Sequence, residues 1–528
     1  MTGPTVTGPL PRGFGVTLDV GTRQLSDGSL FGGSPARVLR LTEAGHQALA
    51  ELRAGPVRSA AAGVLARRLT DAGMAHPVPP AAACSPEVAG AGAGQRIDVT
   101  IVIPVRDRAA MLGRCLAAAG RDYPVVVVDD GSADAAAITA VAGQHGAIVQ
   151  RVAASAGPGP ARNVGLAGVE TDLVAFLDSD CVPPPGWIDA LAVHLADPLV
   201  GAVAPRITAL TTNSPAGRYE QVRGSLDLGS QPARVVPASR VAYVPTAALL
   251  VRRAALESVA GGGVSWASLG SAGPTRVFDP ALRYGEDVDL IWRLNEAGWR
   301  IRYEPSVQVP HDSPADWRGL LARRFRYGTS AAPLARRHPA NMAPLVLQPW
   351  SAASVAVALA RRPTVPVAAA AAGAGAIAAW LDITTTVRRA GVPSDGAPAA
   401  TLTAIRQTWL GIGRYATQFA APVLAIALLA PGGRSAGRGS AGRRLTGRRS
   451  AGRRAAAASL LLGPVLTAYA ERKPELDPLR YVLGHLADDV CYGAGVWAGC
   501  VRERTLVPVK PMITWRPVRI TRPRTDRL

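Results

Sequence analysis

The chain has 528 residues, a formal net charge of +20, 48% hydrophobic residues and only 5% aromatic ones. That length allows several domains with sizeable cores. The composition excludes a wholly disordered, collagen-like or disulfide-stapled chain, while Gly 56 and Pro 44 announce long loops or linkers.

The charge is concentrated. Eight arginines and no acid lie between Pro431 and Ala455, and eight basic residues face only Glu503 and Asp526 from Val501 to Leu528. The rest of the chain is nearly balanced. Such runs read as solvated segments or as attraction to an anionic membrane surface. No aromatics interleave the first run, which argues against single-strand nucleic-acid binding. Five scattered cysteines without C-x-x-C spacing fit a reducing compartment and no zinc cluster. Met1–Phe14 lacks an apolar run, so a secreted protein is not expected.

In chain order, residues 1–80 form a first unit. Short strands are predicted near Phe14–Val20 and Ser29–Leu41. A helix follows over Glu43–Ala54 with Thr42 as its cap, then a second helix from Ser59 and a strand at Met74–Val78. Residues 81–96, rich in Pro, Ala and Gly, form a linker. Residues 97–335 alternate apolar runs with helical periods, which predicts an α/β domain with a largely parallel, doubly wound sheet. Residues 336–528 read as a helical C-terminal region around an arginine-rich loop at 432–454. Charge-poor stretches at 344–360, 364–381, 415–430 and 455–470 are borderline for crossing a bilayer, so membrane association is expected without a span count.

Five segments carry chemistry. The strand Val99–Val105 ends in a loop at Pro104 and Asp107, where open α/β sheets bind ligands. Val125–Val128 stops at Asp129-Asp130-Gly131-Ser132, either a capped turn or a carboxylate for a base or ribose. Gly157-Pro-Gly-Pro-Ala161-Arg162-Asn163 opens a helix carrying an early cation, suited to phosphate. It matches neither a dinucleotide fingerprint nor a P-loop. Val174–Leu177 ends in Asp178-Ser179-Asp180, two carboxylates on one side of an extended segment that can hold a divalent cation against a pyrophosphate. Finally, Gly285-Glu286-Asp287-Val288-Asp289 opens an amphipathic helix. Acids there satisfy the helix dipole, or supply an exposed general base.

As an ordered set, Ile103-Pro104-Val105, Val128–Ser132, Ala161–Gly165, Asp178-Ser179-Asp180 and Gly285–Leu290 resemble the inverting glycosyltransferases of family 2, which have the GT-A fold. The resemblance implies a nucleotide-sugar donor. Asp130 and the Pro104 loop would contact its uridine, with Asp107 alongside, and Arg162 would face the diphosphate. Asp180, helped by Asp178 and His311, would bind Mg2+ or Mn2+. Asp287 would be the base, with Glu286 near the acceptor. Arg323-Arg324-Phe325-Arg326-Tyr327 matches the Gln-x-x-Arg-Trp motif of processive membrane synthases only in part, which points to short-chain or single transfer.

Residues 1–80 resemble PqqD-like winged-helix modules, which bind precursor peptides by adding a strand to a sheet edge. With the tail Leu486–Gly499, the whole chain is similar to the glycosyltransferases of mycofactocin systems. That similarity implies transfer of glucose from UDP-glucose to a peptide-derived redox cofactor or its precursor, in the cytoplasm or at the cytoplasmic face of the membrane. The competing expectations are a cell-envelope polysaccharide or glycolipid transferase using the same site, and a non-catalytic peptide- or nucleic-acid-binding scaffold. The intact Asp-x-Asp and Glu-Asp pairs weigh against the scaffold.

Overall fold

The computed structural model describes residues 8–80, 97–210, 213–260, 276–353, 365–389, 397–429 and 440–514. The chain divides into two compact units. One comprises Met1–Arg23, Leu30–Thr212 and Arg223–Ser313, the other Gln24–Ser29, Asn213–Val222 and Pro314–Leu528.

The first unit begins with a small α+β module. Its elements are β1 (Gly15–Leu18), β2 (Arg23–Gln24), β3 (Leu30–Gly32), β4 (Arg37–Leu39), α1 (Glu43–Ala54), α2 (Ala60–Asp71) and β5 (Ala75–Val78). β1 pairs antiparallel with β5, and β3 with β4. Thr42 and Ser59 cap the two helices by accepting from the Gly45 and Ala62 N–H groups, which satisfies donors left open at a helix start. Phe14, Leu30, Leu49, Leu65, Leu69 and Met74 form its own buried core.

The rest of this unit is an eight-stranded sheet. Its strands are β6 (Val99–Val105), β7 (Val125–Asp130), β8 (Ile148–Val152), β9 (Leu173–Leu177), β10 (Val200–Ala209), β11 (Ala233–Val235), β12 (Ala248–Arg252) and β13 (Arg300–His311). The spatial order is β11-β13-β10-β12-β9-β6-β7-β8. The helices between them are α3 (Ala109–Ala119), α4 (Ala135–Gln144), α5 (Pro158–Leu166), α6 (Trp187–Ala192), α7 (Pro215–Arg223, mostly in the second unit), α8 (Arg253–Val259) and α9 (Glu286–Glu296). β6, β7 and β9 are buried along their whole lengths, as strands covered on both faces must be.

The sheet is mixed, which corrects the expectation of a largely parallel one. β12 runs antiparallel to both β9 and β10, and β11 is antiparallel to β13. β13 is absent from the expected strands because arginines, Glu304 and two prolines lower its apolar content, although its buried Ile301, Tyr303, Val307 and Val309 fall on alternate positions. It nevertheless pairs parallel with β10 at nine of its twelve residues, with shifts in register. One geometric consequence governs the site. β6, β7, β9, β10 and β13 all point the same way, so their carboxyl ends share one edge of the sheet.

The approach of α5 to that sheet depends on one residue. A Cβ on Gly165 would lie 2.6 Å from Val102 Cγ1 and 2.9 Å from Val128 Cγ2. No side chain fits there without moving the helix.

The second unit is helical. α10 (Trp317–Thr329) and α11 (Ala331–Arg337) precede helices at Val365–Arg389, Ala397–Phe419, Ala421–Leu429, Ser440–Arg472 and Pro478–Glu503. The last of these lies against α10 at backbone distance. Cβ atoms on Gly328, Gly484 and Gly495 would collide with Tyr492 O, the Trp317 ring and Phe325 O respectively. The small residues of the Leu486–Gly499 tail therefore serve close packing. Arg323 and Arg324, part of the incomplete synthase motif, pair with Glu220 and Asp488 at 2.9 and 2.6 Å, and Tyr219 donates to Asp488 at 2.8 Å.

Among the described residues no helix is long and apolar enough to cross a membrane. This corrects the expected borderline spans. The stretch 364–381 falls mostly in an Ala- and Gly-rich helix, 415–430 is broken between two helices, and 455–470 belongs to a helix that starts among arginines and contains Pro464. Part of 344–360, the linker 81–96 and residues 432–439 lie outside the described residues, and from Ser440 on the expected arginine-rich loop is instead the first part of the helix Ser440–Arg472.

Gly165→Ala is expected to lower stability by about 1–3 kcal/mol, the usual cost of overpacking a close-packed interior. Urea denaturation followed by tryptophan fluorescence measures it.

Candidate active site

The expected residues gather at the shared carboxyl edge. β6 ends at Val105, and Asp107 adopts φ 53° just beyond it. Its backbone N–H donates to Ser132 Oγ at 2.9 Å, and its Oδ1 accepts from the Ala133 N–H. The loops after β6 and β7 are thereby stitched together. Pro104 is the penultimate residue of β6, opposite Val128 of β7.

Asp130 is 5% exposed. Its carboxylate accepts from Ser155 Oγ at 2.7 Å and from the N–H groups of Ala156 and Gly157 at 2.8 and 2.9 Å. In this structure it shapes the glycine loop that opens α5. Asp129 is likewise engaged, by Arg151 at 2.6 Å and the Ser132 N–H at 2.8 Å.

The centre of the site is Arg162, a buried guanidinium at 2% exposure. Its Nη1 donates to Glu286 Oε1 at 3.0 Å and its Nη2 to Asp178 Oδ1 at 2.5 Å. The Phe278 ring lies 5.6 Å from its carbon. The next residue, Asn163, bonds both the carbonyl and the N–H of Phe278, at 2.7 and 2.9 Å. Gly159 leaves room for Glu286, whose Cγ would be 3.3 Å from a Cβ placed there. Thus three neighbours in one short helix fix the strand end at Asp178 and the start of α9. The sequence placed Arg162 against a diphosphate; both of its terminal nitrogens are taken by carboxylates.

Asp180 sits two residues beyond Asp178, and its neighbourhood is different. His311, at the carboxyl end of β13, approaches its Oδ1 at 3.4 Å, and Arg108 donates to its Oδ2 at 2.9 Å. The backbone holds this pair in place. Cys181 bridges His311, the Asp312 N–H donates to Asp180 O, and the Val182 N–H donates to Pro310 O. Arg108 was missed from sequence, although it follows directly on the loop of Arg106 and Asp107.

The metal expectation can be tested on these contacts. Among the described residues no three His, Cys, Asp or Glu side chains converge as a metal set, because Asp178 is turned toward Arg162. Asp180 and His311 do converge. A cation, the Arg108 guanidinium, already rests on Asp180. One carboxylate and one imidazole would leave the remaining positions of a divalent cation to phosphate oxygens and water.

The start of α9 supplies the acid pair. Gly285 holds φ 79° at its N-cap, a left-handed turn natural to glycine. Asp289 is buried and bonded to Arg293 at 2.8 Å. Burial raises the Glu286 carboxyl above its ordinary range, against the opposing pull of Arg162. Burial, then the neighbouring Glu286 charge, pushes Asp287 up to about 7. Glu286 is committed to Arg162, whereas Asp287 is half-buried and accepts from the Val288 N–H. A carboxylate titrating near neutrality suits a general base.

Residues 100–259 match the profile of the family Glycosyl transferase family 2. Two proteins called "Pre-mycofactocin glycosyltransferase", from Mycobacterium tuberculosis strains CDC 1551 / Oshkosh and ATCC 25618 / H37Rv, are each 38% identical over 519 residues, covering 96% of this chain and 98% of theirs. The chain belongs to glycosyltransferase family 2. It is a glycosyltransferase with a GT-A-like fold on a mixed α/β sheet. A mannosyltransferase from Pyrobaculum calidifontis, solved with GDP-Man and Mn2+, is 20% identical with a TM-score of 0.34, covering 70% of this chain and 88% of that one.

Arg162→Ala should leave Glu286 and Asp178 without a counter-charge. Breaking a buried pair in this way costs about 3–5 kcal/mol. A drop of that size in urea denaturation is expected, and Arg162→Lys should recover only part of it, because one ammonium cannot form the two-armed bridge.

Proposed function

We propose that this glycosyltransferase moves a hexose, glucose, from a UDP-sugar to a peptide-derived redox cofactor of the mycofactocin type or to its precursor, with inversion at the anomeric carbon. The observation that carries the acceptor is the similarity to the pre-mycofactocin glycosyltransferases along 96% of the chain. Similarity confined to the catalytic domain would have supported only the reaction class.

In this reading Asp287 takes the proton of an acceptor hydroxyl. The oxygen attacks the anomeric carbon, the bond from that carbon to the diphosphate breaks, and the nucleotide diphosphate leaves with the electron pair. Asp180 and His311 would hold Mg2+ or Mn2+, with Asp178 adjoining, and such a cation would supply positive charge against the departing diphosphate. Arg162 keeps Glu286 and Asp178 in register, and Glu286 borders the acceptor. The Pro104–Asp107 loop and the Asp130 loop border the nucleoside. Arg323 and Arg324 are committed to ion pairs, which supports a short glycan over processive synthesis. The module at 1–80 is read as PqqD-like, taking the precursor peptide on a sheet edge. The domain at 97–335 does the chemistry and 336–528 supports it. The setting is the cytoplasm or the cytoplasmic face of the membrane.

The test is transfer itself. Purified protein with Mn2+ or Mg2+ is offered a panel of nucleotide sugars, with a cofactor-type peptide product and, separately, a lipid extract. Hexose added to the peptide product, read by mass, is the expected result. Transfer only to lipid would keep the site and overturn the acceptor.

The base assignment gives its own expectation. Asp287→Asn should reduce turnover about 10²- to 10⁴-fold, the usual contribution of a general base, with nucleotide diphosphate affinity nearly unchanged. For the native enzyme kcat/KM should climb with pH through about 7, because only the ionised carboxylate accepts a proton. Well below that value the rate falls tenfold per pH unit. Near-normal turnover in the variant would remove Asp287 from this role.

A further inference from the structure

The opposite edge of the same sheet carries a second constellation of charge. Arg300 and Arg302 lie two apart at the start of β13, and Arg234 of β11 stands directly across from Arg302. Residues two apart on a strand share a face, and like charges directly across a strand pair repel. The N-terminal module meets this region through α2. Arg67 forms a buried two-armed pair with Asp197, at 2.7 and 2.8 Å. One turn further on, Asp71 takes Arg300 in a second such pair, at 2.8 and 2.7 Å.

The tally of charge does not close. Four arginines (67, 234, 300 and 302) face two aspartates. Asp197 is occupied by Arg67 and the Leu199 N–H. Asp71 is occupied by Arg300, with Arg234 3.7 Å away. Arg302 is 3% exposed, and its Nε, Nη1 and Nη2 all lack a hydrogen-bond partner, as does Arg234 Nε. Burial, with the charges of Arg234 and Arg67, outweighs the two aspartates and pushes Arg302 down to about 10. An isolated buried cation with three idle donors is costly. A guanidinium fork is also the geometry that takes an oxyanion.

We infer that Arg302, with Arg234 across the strand pair, forms a binding site for a small inorganic oxyanion of the phosphate or sulfate type, between the N-terminal module and the amino edge of the catalytic sheet. The anion supplies the missing negative charge and bridges the face on which α2 rests. Its role is to fasten the module, and it stands apart from the donor site, which lies at the carboxyl edge.

The test is a thermal-unfolding titration of the full chain with inorganic phosphate, with ionic strength held constant by sodium chloride. A ligand of the native state raises Tm by mass action. The expected rise is about 2–3 °C at ten times Kd and continues to grow with the logarithm of the phosphate concentration. Arg302→Met should flatten the titration while leaving KM for the nucleotide sugar within about twofold of wild type. Arg108→Ala, at the other edge, should keep the phosphate shift. If Arg302→Met does not fold, Arg234→Met reports the same loss. No phosphate-specific rise in the wild type, or a rise that survives both the Arg302 and Arg234 variants, overturns the site.

Discussion

The site depends on a buried guanidinium with two carboxylates. Arg162 joins Asp178, at the end of β9, to Glu286, at the start of α9. These segments are more than a hundred residues apart, and the bridge fixes the strand end against the helix start. Burial strengthens the attraction and makes any loss of a partner expensive. It also has a chemical effect. Burial, and then the charge of the adjoining Glu286, make Asp287 resist ionisation, so that its affinity for protons moves toward neutrality. The ion bridge sets the geometry of the site, and burial sets most of its basicity.

Much of this site was legible in the sequence. The motifs lie where strands stop, and strand ends in an α/β sheet are where chemistry collects. Asp180 and His311 meet because both occupy such ends. The partner choices were harder to read. Nothing near Arg162 in the chain announces that it will bridge carboxylates, since its partners arrive only through the fold. Asp130 reads as a ligand-facing acid, yet its carboxylate ties down the loop at Ser155–Gly157. β13 was hidden because the charged residues of Arg-Ile-Arg-Tyr-Glu-Pro mask a regular strand alternation; its arginines face the module rather than water.

The second unit shows how composition can mislead. Alanine and glycine raise the apolar count without supplying the side-chain area that favours a bilayer. Here glycine lets helix backbones touch. Gly328 and Gly495 bring α10 and the helix Pro478–Glu503 together where any side chain would collide. The arginine pair of the partial synthase motif is spent on Glu220 and Asp488 within the same unit. A stretch that resembles a polymerase signature becomes an internal brace.

β13 also sets a ruler. The module grips it at Arg300, and His311 closes the site at its far end. Eleven residue steps at about 3.3 Å place these points roughly 35 Å apart. If the module holds a peptide as proposed, a span of this order separates its grip on β13 from the carboxyl edge where the proposed base lies. The spacer such a peptide needs is about ten extended residues. A shorter leash would leave the acceptor out of reach, and a longer one would let the same grip serve several successive lengths of product.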